Sequence, residues 1–276
     1  MDPGWSLSAP WDPGGEGECT FEPRDAERDT GHAFCGPVEI KGAKPGMVLE
    51  IQIGRITPGT WGWSFAGGWP NRVNERLGLD GEPRYHIQWA LDAQSMTGTT
   101  QHGHRVDLRP FLGVMGMPPA QPGIHSTGPP RTCGGNLDCK ELTAGSVLYL
   151  PISVAGALFS AGDGHARQGD GEVSQIAIEA PMREAELTFV VHEDMDIRTP
   201  QASIAGGWLT MGLDEDLHEA TAIALDAMLD VMVARFDMDR KYALALASVA
   251  VDFRITQIAN ITLGVHAILA DGAVRA

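Results

Sequence analysis

Between Gly134 and Ala180 the chain gathers side chains that bind cations and move protons. Asn136 and Asp138 follow a Gly-Gly pair. Asp163 and His165 sit in Ser160-Ala-Gly-Asp163-Gly-His165, and Gln168, Asp170 and Glu172 alternate with glycines directly after; Glu179 stands a few residues on. Three pairs, Asn136/Asp138, Asp163/His165 and Asp170/Glu172, have i, i+2 spacing, which in an extended chain puts both members on one face. Carboxylate and amide oxygens with one imidazole suit Zn²⁺, or an oxygen-preferring ion such as Ca²⁺ if more carboxylates join. A divalent ion lowers the pKa of water and polarises an amide carbonyl. A carboxylate left off the ion serves as general base and then protonates the leaving amine. Turn chemistry alone explains isolated Asp-Gly and Gly-Asp pairs, but it does not require His165 and Glu172 together.

The elements that must position this set are mostly strands. Apolar, β-branched runs at Met47 to Ile56, His86 to Ala93, Val147 to Val154, Glu172 to Ala180 and Leu187 to His192 lie between turns rich in glycine and proline. From Leu213 to Phe236 the apolar spacing becomes 3 and 4 (Leu217, Leu225, Met228, Leu229, Met232, Phe236), predicting an amphipathic helix with Asp214 to Asp216 at its start. Asp239 is placed to cap a second, Ala-rich helix to about Ala250, and Val251 to Ile258 returns to a strand pattern. The expected fold is α+β, mostly β, a mixed sandwich or barrel-like architecture with two helices in the C-terminal third. Residues 1–276 read as a single unit; the helical segment spans 213–250. The Pro/Gly-rich stretch 118–130 is the candidate for a long surface connection or a sub-domain join.

Composition narrows the partners. The chain has 276 residues, 43% hydrophobic and 20% charged, with a formal net charge of −16. Such acidity repels phosphate backbones and anionic membranes, so neither nucleic acid nor membrane is expected, whereas a small neutral substrate meets no penalty. No apolar run is long enough to span a bilayer. Met1 to Gly17 does not read as a secretory signal. Cys19, Cys35, Cys133 and Cys139 form no CxxC pair, which predicts free thiols in the cytoplasm. Gln101-His102-Gly-His104-Arg-Val-Asp107 lacks the spacing of a binuclear metal motif, and His86 and His125 stand alone, so these histidines are set aside as structural or exposed. The helical stripe from Leu217 to Phe236 is core or a subunit interface, in keeping with a homo-oligomer.

Three stretches carry a family resemblance: Gly134-Gly-Asn-Leu-Asp138, Leu142 to Pro151, and Gly156-Ala-Leu-Phe-Ser-Ala-Gly-Asp-Gly-His-Ala-Arg-Gln-Gly-Asp-Gly-Glu172. They resemble the acetamidase/formamidase family. The likeness extends to Leu108-Arg-Pro-Phe-Leu-Gly-Val-Met-Gly116 and Ala177-Ile-Glu-Ala-Pro-Met182. It implies a mostly β fold and hydrolysis of short amides, or of cyclic amides in resembling proteins, with metal in the site of at least some members. Carried over by position, Asn136, Asp138, Asp163 and His165, with Glu179, surround the ion. Gln168, Asp170 and Glu172 match the catalytic loop, Glu172 and Asp170 being the expected acid–base residues and Gln168 a substrate contact. Departure from the pattern is greatest at Gly59 to Arg84, where Trp61, Trp63 and Trp69 appear; Trp63 is the expected substrate-facing ring. Rival readings are hydrolysis of an imide or ureide in the same site, and a β-rich metal-binding protein without turnover.

Overall fold

The structure, a computed structural model, describes residues 31–81 and 83–275, so Cys19 and the segment Met1 to Gly17 lie outside it. Strands β1 (Phe34–Val38), β2 (Val48–Pro58) and β3 (Trp61–Ala66) lead into a short helix, α1 (Arg72–Leu77). Then come β4 (Tyr85–Asp92), β5 (Thr97–Thr100), β6 (Arg105–Asp107) and β7 (Phe111–Gly116). The middle of the chain supplies β8 (Gly134–Asn136), β9 (Val147–Pro151), β10 (Phe159–His165) and β11 (Met182–His192). Strands β12 (Gln201–Ile204) and β13 (Gly207–Asp214) precede helices α2 (Leu217–Phe236) and α3 (Arg240–Ala250). Strands β14 (Val251–Gln257) and β15 (Leu263–Ala270) follow.

The strands form three sheets, ordered β1-β10-β7-β8, β11-β2-β9-β12-β13-β15-β14 and β3-β4-β5-β6. The main core lies between the first two. Leu49, Ile51, Ile53, Leu148, Leu150, Leu209 and Met211 of the long sheet pack with Leu112, Met115 and Phe159 of the short one, all nearly inaccessible. Each such side chain contributes roughly 1.5–3 kcal/mol on burial, which makes this layer the main source of stability. The expected mostly β architecture is present as a sandwich of open sheets rather than a closed barrel.

Helix α2 covers the other face of β13 and β15, where Ala220, Ala224, Met228 and Met232 meet Val265, Ala267 and Leu269. Its predicted apolar positions face this second core, and the start falls at Leu217 because Asp216 caps it, accepting from His218 N and Glu219 N. Asp239 caps α3 through Lys241 N and Tyr242 N, as its sequence position predicted. Helix α1 was not anticipated; Asn71 caps it at one end and left-handed Gly78 ends it at the other. No helix among the described residues is long and apolar enough to cross a membrane.

One predicted strand is absent. Glu172 to Ala180 has strand-like composition, but Glu172 and Gln175 adopt positive φ (44° and 66°), which breaks the run into turns. Only Glu179 pairs, bridging His165 of β10 on one side and Trp63 of β3 on the other, and so it joins the two four-stranded sheets. Residues 118–130 form an irregular connection between β7 and β8, which pair with each other.

Candidate active site

The polar cluster collects where β7, β8 and β10 run side by side. Asp163 lies on β10 opposite Gly113 of β7, within the register Gly162↔Val114 and Gly164↔Leu112. His165 is two residues on, and its Nε2 stands 3.2 Å from Asp163 Oδ2 and 3.3 Å from Glu179 Oε1. Asp138 follows β8 and is tied to β7 through its backbone N–H and Gly113 O (3.2 Å). Glu172 reaches in from the loop after β10; donor atoms of Asp138, His165 and Glu172 lie within 4.8 Å of one another, as do those of Asp163, His165 and Glu179.

Gly113 makes this convergence feasible. A Cβ there would collide with Asp163 Oδ2 and come within 2.8 Å of Asp138 Oδ1 and 2.9 Å of His165 Cε1. The space a side chain would fill is the space the three functional groups share. Asp138, Asp163 and Glu172 also adopt left-handed backbone (φ 47°, 58° and 44°). A non-glycine residue holds that conformation only where its surroundings over-determine it, and such residues gather at functional sites.

His165 is fully buried and oriented from behind. Its Nδ1 donates to Gln168 Oε1 (3.0 Å), while Gln168 Nε2 donates to Asp138 O (2.7 Å). Gln168, expected to contact substrate, thus has both ends of its amide committed within the protein. With Nδ1 donating, Nε2 faces two carboxylates, an arrangement that asks for a proton or a cation between them.

Electrostatics point the same way. Burial, and then the neighbouring carboxylates Asp163 and Glu179, push the Asp138 carboxyl up to about 8. Burial and the Asp138 charge hold Glu172 well above the usual carboxylate range. Burial also works against ionisation of Asp163, but the charge of His165 and its hydrogen bond outweigh it and bring that carboxyl down to about 2. Burial opposes the charge on His165 as well, yet Glu179 and Asp163 raise it well above its ordinary value. Four carboxylates surround one imidazole, and Asn136 Oδ1 and both carboxylate oxygens of Asp138 are buried without a hydrogen-bond partner. A divalent cation would neutralise the crowded carboxylates and partner such orphaned oxygens, so the donor set fits one.

Two sequence expectations come out differently in space. Asp170 and Glu172 do not share a face, because Gly171 (φ 88°) and the Gly169–Glu172 turn send them apart. Asp170 pairs with Lys140 (3.0 Å) and groups with Glu141 and His266. Trp63 is tied to Glu179 by two backbone hydrogen bonds of 2.9 Å, and its ring stacks on Phe65 (5.4 Å). Phe65 in turn meets Trp69, whose Nε1 donates to Gln175 Oε1 (3.0 Å). An aromatic row therefore borders the loop that carries Glu172. Gly113 and Lys140 carry no signal of their own in the sequence; Gly113 lies within the stretch Leu108 to Gly116, and only the strand pairing reveals what it faces.

Comparisons with known proteins point to one family. The profile of the acetamidase/formamidase family matches residues 122–204, the stretch that holds Asn136, Asp138, Asp163, His165, Glu172 and Glu179. The acetamidase of Mycolicibacterium smegmatis is 26% identical over 216 residues, 58% of this chain and 53% of that protein. The formamidase of Methylophilus methylotrophus is 26% identical over 209 residues, 58% of this chain and 51% of that one. The chain spans about half the length of the curated relatives it matches. Among solved structures, the acetamidase of Bacillus halodurans superposes with a TM-score of 0.76 at 30% identity, covering 85% of this chain and 77% of its own. With fold, motif region and identity in accord over most of its length, the chain belongs to the acetamidase/formamidase family.

Proposed function

We propose that this protein hydrolyses the C–N bond of a small amide or cyclic amide, giving carboxylate and amine or ammonia. The observation that supports this most is the meeting at His165 of two donor groups, Asp138 with Glu172 and Asp163 with Glu179, with Asp138 oxygens left unpartnered. His165 Nε2 with the oxygens of Asn136, Asp138, Asp163 and Glu179 would hold a divalent ion, and the imidazole favours zinc over calcium. Such an ion supplies Lewis acidity toward the amide carbonyl and toward water.

The chain's own groups do the rest. Gln168 fixes the His165 ring so that Nε2 faces the centre. Glu172, buried beside Asp138, is the group that takes a proton from the attacking water and returns it to the leaving nitrogen. Asp170, turned toward Lys140, takes no direct part. The aromatic row of Trp63, Phe65 and Trp69 offers apolar surface to a substrate larger than formamide. The same reading places the protein in the cytoplasm as a homo-oligomer. The free thiols of Cys133 and Cys139 and the exposed Tyr242, Leu244 and Val249 of α3 are in keeping with that.

The test is ammonia or amine release from formamide, acetamide, propionamide and a five-membered lactam, before and after chelation, with elemental analysis of the same samples. Activity that is lost on chelation and restored by zinc is expected. In Glu172→Gln, kcat should fall by roughly 10²–10⁴-fold with bound metal unchanged. Bound metal with no turnover on any amide would make the protein a metal-binding protein without this activity.

A further inference from the structure

The segments that carry Asp138 and Glu172 are joined one step behind the site. Lys140 follows Asp138 by two positions and Asp170 precedes Glu172 by two; Lys140 Nζ lies 3.0 Å from Asp170 Oδ1. Next to Lys140, the buried Glu141 is bracketed by Arg109 (Nη2 to Oε2, 2.5 Å) and Arg254 (Nη1 to Oε1, 3.2 Å). Arg254 belongs to β14, and the same strand holds the loop by its backbone. Gly171 N–H is shared between Ile255 O (2.9 Å) and Thr256 O (3.2 Å), and Gly171 O accepts from Ile258 N (2.9 Å).

Left-handed backbone makes this loop depend on contacts beyond its own turn. Gly171 and Glu172 are consecutive left-handed residues (φ 88° and 44°), and the turn bond from Glu172 N to Gly169 O is long at 3.3 Å. Glu172 therefore owes its place to anchors outside the loop. The backbone dock on β14 fixes Gly171 relative to the C-terminal sheet. Asp138 rides on a different segment, which Gln168 Nε2 ties to the start of the loop through Asp138 O (2.7 Å), ahead of the left-handed turn. Lys140 and Asp170 add a second tie at the turn itself, two residues from Asp138 and two from Glu172.

We propose that the Lys140–Asp170 ion pair sets the spacing between Asp138 and Glu172 across the site, which makes both members positioning residues. The proposal rests on the reading of Glu172 as the proton-moving group. Neither side chain enters the cluster around His165. They act by fixing where the Glu172 carboxyl stands relative to the groups across from it, and a displacement of about 1 Å costs on the order of 10²-fold in rate.

The experiment compares Lys140→Met, Asp170→Asn, their double variant and Lys140→Arg. It measures kcat and KM on an amide the wild type hydrolyses, metal content, and amide hydrogen exchange over residues 169–175. Each single neutral variant should lower kcat by roughly 10–10²-fold while KM and metal content stay within about twofold. The double variant should be no worse than either single one, and Lys140→Arg should keep most of kcat. Exchange of the 171–175 amides should quicken by about tenfold in Lys140→Met. Unchanged kcat in both single variants overturns the proposal, as do additive losses or a matching loss of metal. If the wild type hydrolyses no amide, the functional reading fails separately, and unchanged exchange in Lys140→Met then overturns the anchoring on its own.

Discussion

At the scale of single residues, the site depends as much on an absent side chain as on those present. Gly113 sits in a strand whose neighbours are all buried, and its own Cβ position is occupied by Asp163, Asp138 and His165. Because Gly113 does not adopt left-handed backbone, alanine is acceptable to its backbone, and the conflict is confined to the functional groups. Gly113→Ala should fold with a loss of stability of about 1–3 kcal/mol, the usual range for overpacking. Metal affinity should suffer far more, since Asp163 Oδ2 and Asp138 Oδ1 can no longer approach the same point. Elemental analysis and a chemical melt of one preparation separate the two effects. Full metal content in a stable Gly113→Ala protein would show that the ion, if bound, is held elsewhere.

At the scale of elements, close approach again decides. Helix α2 lies on β13 at Gly212, where a Cβ would overlap Ala220 O and stand 2.6 Å from Ala224 N. Those are backbone atoms, which cannot swing aside, and Thr210 Oγ1 already binds Ala224 O at 2.7 Å in the same contact. Gly212→Ala should therefore destabilise by at least about 3 kcal/mol, at the upper end of overpacking costs, visible as a shifted urea midpoint. A shift no larger than that of a surface substitution would mean that α2 slides freely on the sheet. Both C-terminal helices were legible in the sequence because Asp216 and Asp239 are caps with a chemical signature and the apolar spacing repeats. Strand β2 was legible from its apolar, β-branched run. Strand β7 was not: Phe-Leu-Gly-Val-Met-Gly is buried on both faces, and such a run carries no period to distinguish strand from buried helix. The loop 172–180 misled in the opposite sense, since its Val and Ile content resembles a strand while Glu172 and Gln175 turn it away. Asp163 and His165 meet because both stay within β10, whose pairing with β7 resumes at Gly164 and His165 despite the left-handed Asp163, whereas Asp170 and Glu172 diverge at the turn around Gly171. Residue types announced the chemistry; three-dimensional strand order decided which of them meet.

At the scale of the whole molecule, the C-terminal helical layer and the site are joined through β14 and β15, and a buried imidazole sits in that join. His266 of β15 is fully inaccessible; its Nδ1 shares a hydrogen bond with Thr256 Oγ1 (2.8 Å), and its Nε2 has no protein partner. Arg254, Glu141, Lys140 and Asp170 are the charged groups around it. Burial brings its pKa down to about 4; Asp170 and Glu141 oppose that shift, and Arg254 and Lys140 assist it. The folded protein keeps His266 neutral down to that pH, whereas the unfolded chain protonates it near the ordinary value of about 6.5. Below about 6.5 the unfolded state thus binds the extra proton, so stability is full above that pH and falls as pH drops toward 4. At 1.36 kcal/mol per pH unit, the window corresponds to about 3 kcal/mol. Buried carboxylates also respond to acid, so the informative quantity is the difference between wild type and His266→Gln, which lacks the titrating group. Measured by urea unfolding from pH 7.5 to 4.5, the wild type should lose more stability than the variant, with the gap opening below about pH 6.5. Parallel pH profiles for the two proteins would mean that His266 is protonated as readily in the folded protein as in the unfolded chain. The join between the helical layer and the site would then hold a charged imidazole below about pH 6.5.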